Sequence, residues 1–542
     1  MDTKSIYTVG KYLLLSLFIF TGFACGDDEE TEDTSTPVLV SQNIADGDIV
    51  GPDGYVELFF SKAMRQAPET EIYFNGRAVR VSINYERVRY TYSDMENEDC
   101  IFEIPAGALT DMQGRVYNQD FFLNFTAKSE ITTDGEDVFD AVVDPSGRGD
   151  FTTVQAAINA APGNSTRPYL IFIAAGTYNE CININSNKPF IHLIGESRER
   201  VKIQFALNRA EEQTNTTTWP YSIFNESSPA RQAGHTSDQN AVVLINATDI
   251  YMENITIINL YGALGSRYDG GLGRNGQAEA FINRQDRLTL NNCRLVSWQD
   301  TWWSRYWNDN AIHRAYVYNS WIEGSTDYIW GSGDLLIENS TFYNTGSGSV
   351  ITASRTNPTD LWGYVMKDCT INGENGITGT SFGRSQATTT KTVWINTKLE
   401  MDIIAEHWGW GGQIPTLYAE YNTIDKNGNM ISEPKTIVSG GNTFTSSVLS
   451  AGEAANYTYE NIIATNGWNP KQYMEAPDSP NVTKEGNILS WNAVSGAAGY
   501  LIFMNNTYMA QTTATSVTLT NTDDSVIYTV RAVGRYGSLS HE

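Results

Sequence analysis

The chain has 542 residues, with 36 Lys and Arg against 63 Asp and Glu, a formal net charge of −27. This balance, with no basic stripe, excludes a nucleic-acid partner and leaves capture of any polyanion to local Arg or Lys side chains. Gly (45) and Tyr (29) are abundant and helix signals are sparse, so composition points to mostly β structure, in about three or four domains by length.

Residues 1–25 read as an export signal. Lys4 and Lys11 precede the apolar run YLLLSLFIFTGFA, which is too short for a good membrane span and ends in small residues at Cys25. Gly22-Phe23-Ala24-Cys25 resembles a bacterial lipoprotein cleavage site, with Gly22 where Leu is usual, and the acidic stretch GDDEETED after it resembles the surface-export signal of Bacteroidetes lipoproteins. The resemblance implies lipidation of Cys25 and a cell-surface place on the outer membrane, held by the lipid anchor. Residues 26–36 form an acidic linker. The other cysteines, Cys100, Cys181, Cys293 and Cys369, are too few for a disulfide framework in so long a chain, and buried thiols are expected.

Residues 37–128 alternate apolar and polar positions between turn residues, the pattern of a small β-sandwich. Its strings FSKAM and GALTDMQG resemble bacterial Ig-like domains. A second small sandwich is expected over 476–542, after the Pro-marked linker APDSP. There Trp491, the turn before GYLIFM and the strand YTVRAV resemble a fibronectin type III domain.

Between them, over 136–470, similar short strings recur: LTLNNCRLVS, AYVYNSWIEGS, LLIENSTFYN, YVMKDCTINGE and VWINTKLE. Their turn residues Asn292, Asn319, Asn339, Asp368 and Asn396 are 27, 20, 29 and 28 residues apart. Periods of that size mark a solenoid, and the apolar-x-apolar rhythm marks strands. Asn suits the bend because it tolerates left-handed backbone. The fold class is therefore all-β: a right-handed parallel β-helix with small β-sandwich domains at each end. QAAINAAP, at 155–162, is the one good amphipathic helix, expected to cap an open end.

Stacked coils lie about 4.8 Å apart. Asp300 and Asp327 are 27 residues apart, close to one coil, so both carboxyls can project from one face. Two acids that close do not ionise together easily, which suits one as nucleophile or base and the other as acid. Gln277 and Gln299 lie beside them as amide donors for an oxyanion, and Arg384 in SFGRS can orient a carboxylate. From spacing alone, the same acids serve equally well as turn caps.

Five stretches in order carry a resemblance over most of 140–425: VVDPSGRGDFTTVQAAINAAP, IFIAAGTYNE, NITIINL with GQAEAF, SWQDTWW with GSTDYIWG, and SFGRSQ. Together they resemble the pectin methylesterases, β-helix carbohydrate esterases. The resemblance implies hydrolysis of the methyl esters of methylated pectin (homogalacturonan) to pectate and methanol, with no metal or cofactor. By position it makes Asp327 the nucleophile, Asp300 the acid and base, Gln277 and Gln299 the oxyanion donors, and Arg384 the partner of Asp327. The pattern is broken in places. Ser385 and Gln386 replace the family's Pro and Trp, and Glu279 and Phe281 replace Val and Leu of Q-A-V-A-L. A sugar platform is thus missing at Gln386. Trp302, Trp303, Tyr328, Trp330 and Trp408 are candidates to supply substrate contacts, with Thr236 in GHTSDQ as another.

Other signals lead nowhere. Gly271–Gly276 fits GxGxxG but opens no helix, and Gly379–Gly383 fits GxSxG without a strand–turn–helix pattern. The remaining alternatives are a β-helix depolymerase acting through paired acids and a surface glycan-binding protein that has lost catalysis.

Overall fold

A computed structural model describes residues 35–541, apart from 51–53, 94, 96, 97, 128–130, 134, 209–240, 305–310, 410–412, 440, 521, 522 and 524. The export signal with Cys25, and Thr236, lie outside the described residues. The middle of the chain winds through three parallel sheets of 11, 8 and 7 strands, a parallel β-helix. Each coil lays one strand on each sheet in turn. Leu288–Asn291, Arg294–Val296 and Trp302–Ser304 form one such coil.

The interior is a single apolar column running from Ala141 to Ile437. The first sheet is buried on both faces. Ile171, Ile173 and Leu193 point into the column, while Phe172 and Ile194 pack outward against Leu501, Phe503 and Val533 of the C-terminal sandwich. This is why YLIFI and IHLIG read as unbroken apolar runs. Each such side chain contributes about 1.5–3 kcal/mol on burial. Later coils of the same sheet are covered by the short helices Ala451–Ala454 and Tyr459–Ile462.

Asn292, Asn319, Asn339, Asp368 and Asn396 all have φ between 48° and 55°, as the repeat predicts, and Asn254 and Asn422 extend the column. They form the corner between the first and second sheets.

The predicted capping helix spans Val154–Ala160 and buries Val154, Ala157 and Ile158 in the column. Thr153 caps it, and the Glu180 carboxylate accepts from the backbone N–H of Val154 (2.9 Å) and Gln155 (3.1 Å). Glu180 closes IFIAAGTYNE, so that stretch secures the cap rather than the chemistry.

In the N-terminal sandwich, two of the quoted strings meet. Met64–Gln66 pairs antiparallel with Leu109–Asp111. The C-terminal sandwich begins earlier than its sequence suggests: Ile131–Thr132, before the β-helix, pairs with Ser516–Leu519 and adds an edge strand. Alternation cannot reveal a two-residue strand whose partner lies nearly 400 residues on. The four cysteines after Cys25 are buried and unbridged.

Candidate active site

With the first sheet covered, the outer face of the third is open to a cleft. Its strands Phe281–Asn283, Trp302–Ser304, Ile329–Gly331, Val350–Ser354 and Ser381–Ser385 stack in register. Alternation sorts the side chains. Phe281, Trp302 and Ile329 point into the column; Ile282, Trp303, Trp330, Ala353 and Arg384 form the outward file.

Asp300 and Asp327 precede the third-sheet strand on consecutive coils. Gln277, Gln299 and Thr326 bridge in parallel beside them, and the Asp300 N–H donates to the Thr326 carbonyl (3.0 Å). Both acids have left-handed backbone, φ 59° and 51°. Asp tolerates that region better than most residues, and such conformations collect at functional sites. The glycines of GSTDYIWG are steric requirements. A Cβ on Gly324 would lie 2.3 Å from Cβ of Tyr328, and one on Gly331, at φ 112°, would lie 2.0 Å from the Ser304 carbonyl oxygen.

The five residues assigned to chemistry line one cavity of about 290 Å³, together with Trp330, Gly331, Ala353, Arg355 and Gln386. Arg384 forks onto Asp327: Nε donates to Oδ1 at 2.8 Å and Nη2 donates to Oδ2. Gln277 Nε2 donates to Asp300 Oδ2 at 3.0 Å. The two acids are thus held differently. Burial first, then the Glu279 carboxyl and Asp327, push Asp300 well above the usual carboxylate range, against the bond from Gln277 and the charge of Arg384. The bond to Asp327 pushes the Arg384 guanidinium further up.

Most of the aromatic candidates for substrate contact are not in the cleft. Trp302 is fully buried in the column, its Nε1 donating to Asn283 Oδ1 (2.7 Å). Tyr328 is also fully buried, with its hydroxyl donating to Asn344 Oδ1 (3.3 Å). Trp408 stacks on Tyr418 inside the column, ring centroids 4.2 Å apart. Trp303 is on the outward file but lies beneath Trp330, centroids 4.5 Å apart and nearly parallel, and is only 4% exposed. Trp330 alone reaches the cavity wall. The cause is strand phase: neighbouring residues in SWQDTWW and TDYIWG face opposite sides.

Arg355, Ala353 and Gly331 are cavity residues that motif reading missed. Two-residue periodicity does not find them: Ile351 enters the column, and the alternation of VITASR breaks before Ala353, which pairs with the outward Trp330. Gln386 stands at the rim, where the missing platform was expected. Ser381 of the GxSxG string is buried in its strand, and no helix follows Gly271–Gly276 among the described residues.

Residues 140–228 and 223–466 match the family model for Pectinesterase. "Probable pectinesterase A" of Neosartorya fischeri is 30% identical over 278 residues, 51% of this chain and 75% of that protein. Among solved structures, a carrot pectin methylesterase superposes with a TM-score of 0.48 at 22% identity, covering 64% of this chain and 98% of the other. The Erwinia chrysanthemi enzyme PemA gives 0.46 at 23%, covering 61% and 98%.

Proposed function

The chain belongs to the pectinesterase family and is a carboxylic ester hydrolase, and from that premise we propose that it hydrolyses the methyl esters of methylated homogalacturonan with Asp327 as nucleophile. The observation that carries the assignment is the division between the acids: a guanidinium forks onto Asp327, while Asp300 is buried and bonded by Gln277, its carboxyl pushed well above the usual carboxylate range. Such a fork fixes the Asp327 carboxyl in one orientation and favours a negative charge on it.

In this mechanism an Asp327 oxygen attacks the ester carbonyl carbon. The oxyanion forms within reach of the Gln277 and Gln299 amides, which line the cavity beside both acids. Collapse breaks the bond to the methoxy oxygen, which takes the Asp300 proton and leaves as methanol. The enzyme is left as an acyl anhydride at Asp327. Asp300, now a carboxylate, takes a proton from water as the water oxygen attacks the acyl carbon. Asp327 is released with a uronate, and Asp300 is again protonated. Trp330 offers a ring face to the sugar in place of the Trp absent at Gln386.

The N-terminal sandwich, read as Ig-like, acts as a spacer or a binding module, and the C-terminal one, read as fibronectin type III-like, covers the first sheet. Cys25 carries a lipid that holds the enzyme on the outer membrane. Cys25→Ser is expected to abolish fatty-acid labelling; a wild type that takes no label removes the anchor, and label that survives the substitution removes Cys25 as its site.

The deciding measurement is methanol release from highly methylated pectin by the wild type and Asp327→Ala. Release that depends on Asp327 is the expected result. Pectin affinity without methanol would favour a glycan-binding role, and shortened or unsaturated oligomers would favour a depolymerase.

A further inference from the structure

Gln277 is delivered to the cavity by a hairpin. The chain leaves the second sheet after Asn259, folds back on itself over residues 260–276 and returns at Gln277. The Leu272 N–H donates to the Leu260 carbonyl (2.8 Å), the Gly273 N–H to the Ala263 carbonyl (2.8 Å) and the Arg274 N–H to the Tyr261 carbonyl (3.0 Å). The hairpin lies along the outer face of the second sheet, where Ala263, Leu260 and Tyr268 pack with Ile258 and Val296. Ile258, Val296, Glu323 and Tyr343 stand in register on successive coils. The hairpin is rooted on the coil of Ile258, and its tip reaches Glu323, two coils further on.

There the tip is clasped. Glu323 is wholly buried. The Tyr268 hydroxyl (2.7 Å) and Trp321 Nε1 (3.0 Å) donate to its Oε2, and Arg267 Nη2 forms an ion pair with the same oxygen at 3.1 Å. Arg267 also donates through Nη1 to Glu374 Oε1 (3.1 Å), and its guanidinium carbon lies 4.0 Å from the Tyr343 ring centroid. Separating a buried carboxylate from such partners is costly, which holds the tip in place. The same Glu323 belongs to the wall that carries the acids. Its carbonyl accepts from Thr301 Oγ1 (2.8 Å) and from the Ser297 N–H (3.3 Å), on either side of Gln299 and Asp300. Its strand, Trp321–Gly324, leads directly to Asp327. Glu323 itself lies outside the cavity.

Resting on the oxyanion role proposed for Gln277, we infer that Glu323 is a positioning residue that holds Gln277 at its distance from the two acids. Gln277 follows the foot of the hairpin, and the tip is tied to the strand that leads to the nucleophile. The clasp therefore fixes the donor and the nucleophile in one frame. An oxyanion donor must be in place before charge develops, and one displaced by a fraction of an ångström stabilises the transition state less while sugar binding changes little. Loss of the clasp is felt in kcat rather than in KM.

The test is a double-mutant cycle on methanol release that pairs Glu323→Gln with Gln277→Ala. A second cycle pairs Arg267→Met with Gln277→Ala and decides if the buried substitution prevents folding. Glu323→Gln and Arg267→Met are each expected to lower kcat about 10-fold, with KM within about 2-fold of the wild type. In Gln277→Ala, itself slower by about 10²-fold, either change adds less than about 2-fold, because the residue they act through is gone. An equal loss in both backgrounds makes the clasp purely structural and overturns the inference, as does an unchanged kcat in folded Glu323→Gln. A wild type that releases no methanol defeats the functional reading instead. The ¹⁵N side-chain amide signals of Gln277, assigned by their loss in Gln277→Ala, then decide: a shift in Glu323→Gln and Arg267→Met upholds the positioning, and signals that stay in place overturn it.

Discussion

Two corners of the β-helix use one backbone device for opposite ends. At the corner between the first and second sheets, Asn254, Asn292, Asn319, Asn339, Asp368, Asn396 and Asn422 turn the chain with φ near 50–60°. Between the second and third sheets, Asp300 and Asp327 do the same. The amide corner closes on itself. Asn292 Nδ2 donates to Asn254 Oδ1 (2.7 Å), Asn396 Nδ2 to Asp368 Oδ1 (2.7 Å), and Asn422 Nδ2 to Asn396 Oδ1 (3.0 Å). An amide both gives and accepts, so coils are joined in two runs, Asn254 to Asn319 and Asp368 to Asn422. A carboxylate accepts only. Stacked acids cannot form that ladder; here a guanidinium forks onto Asp327, while burial and the neighbouring carboxyls push Asp300 well above the usual carboxylate range. The turn supplies position, and the exchange of amide for acid supplies reactivity.

The sharpest break in that comparison makes the acid corner resemble the amide corner. Asp327→Asn keeps the turn residue's shape and its tolerance of left-handed backbone but removes the nucleophile. Methanol release is expected to fall roughly 10⁴-fold. Urea unfolding should shift little, because losing the charge-assisted fork from Arg384 offsets whatever repulsion from Asp300 is removed. Substantial residual turnover would mean that Asp327 is not the attacking group.

Next in size is the group that separates the two acids. Arg384→Lys keeps the charge but loses the two-point fork, and a loss of about 10²-fold in kcat is expected. Activity close to wild type would show that charge alone is enough and that orientation of Asp327 matters little. Steady-state methanol assays with both substitutions separate these cases.

The amide corner was legible in the sequence because each coil repeats its residue at nearly the same interval. The acid pair was legible for the same reason: 27 residues is one coil, and Asp300 and Asp327 share a cavity. The phase of the strands between them was not. SWQDTWW gives no sign that Trp302 enters the column while Trp303 leaves it, because indoles serve on both faces. Only the register settles it, through partners as remote as Phe281 and Ile329. Tyr328 was misplaced by its nearness to Asp327 in sequence, since the left-handed turn sends successive side chains in different directions. Arg355 belonged to no motif, and alternation misplaces it, because Ile351 in the same phase enters the column while Ala353 and Arg355 line the cavity. The strand Ile131–Thr132 carried none, because its two residues are completed by a sheet formed from the far end of the chain.

The smallest expected effect separates the two functions of the amide corner itself. Asn292 gives one bond to Asn254 and accepts one from Asn319 Nδ2 at 3.4 Å, and it holds φ 49°. Asn292→Ala removes the amide and strains the backbone, for about 1–2 kcal/mol. Asn292→Gly removes the same amide but adopts the turn freely, so its cost is limited to the lost bonds and the added freedom of the unfolded chain, about 1 kcal/mol. If Gly proves the milder change in urea unfolding, the left-handed turn is what the corner needs and the ladder is secondary. If the two cost the same, coil-to-coil bonding dominates. Methanol release should be unchanged in both, because the site is carried on the other corner; a loss of rate would show that the two corners are coupled through the strand Arg294–Val296 between them.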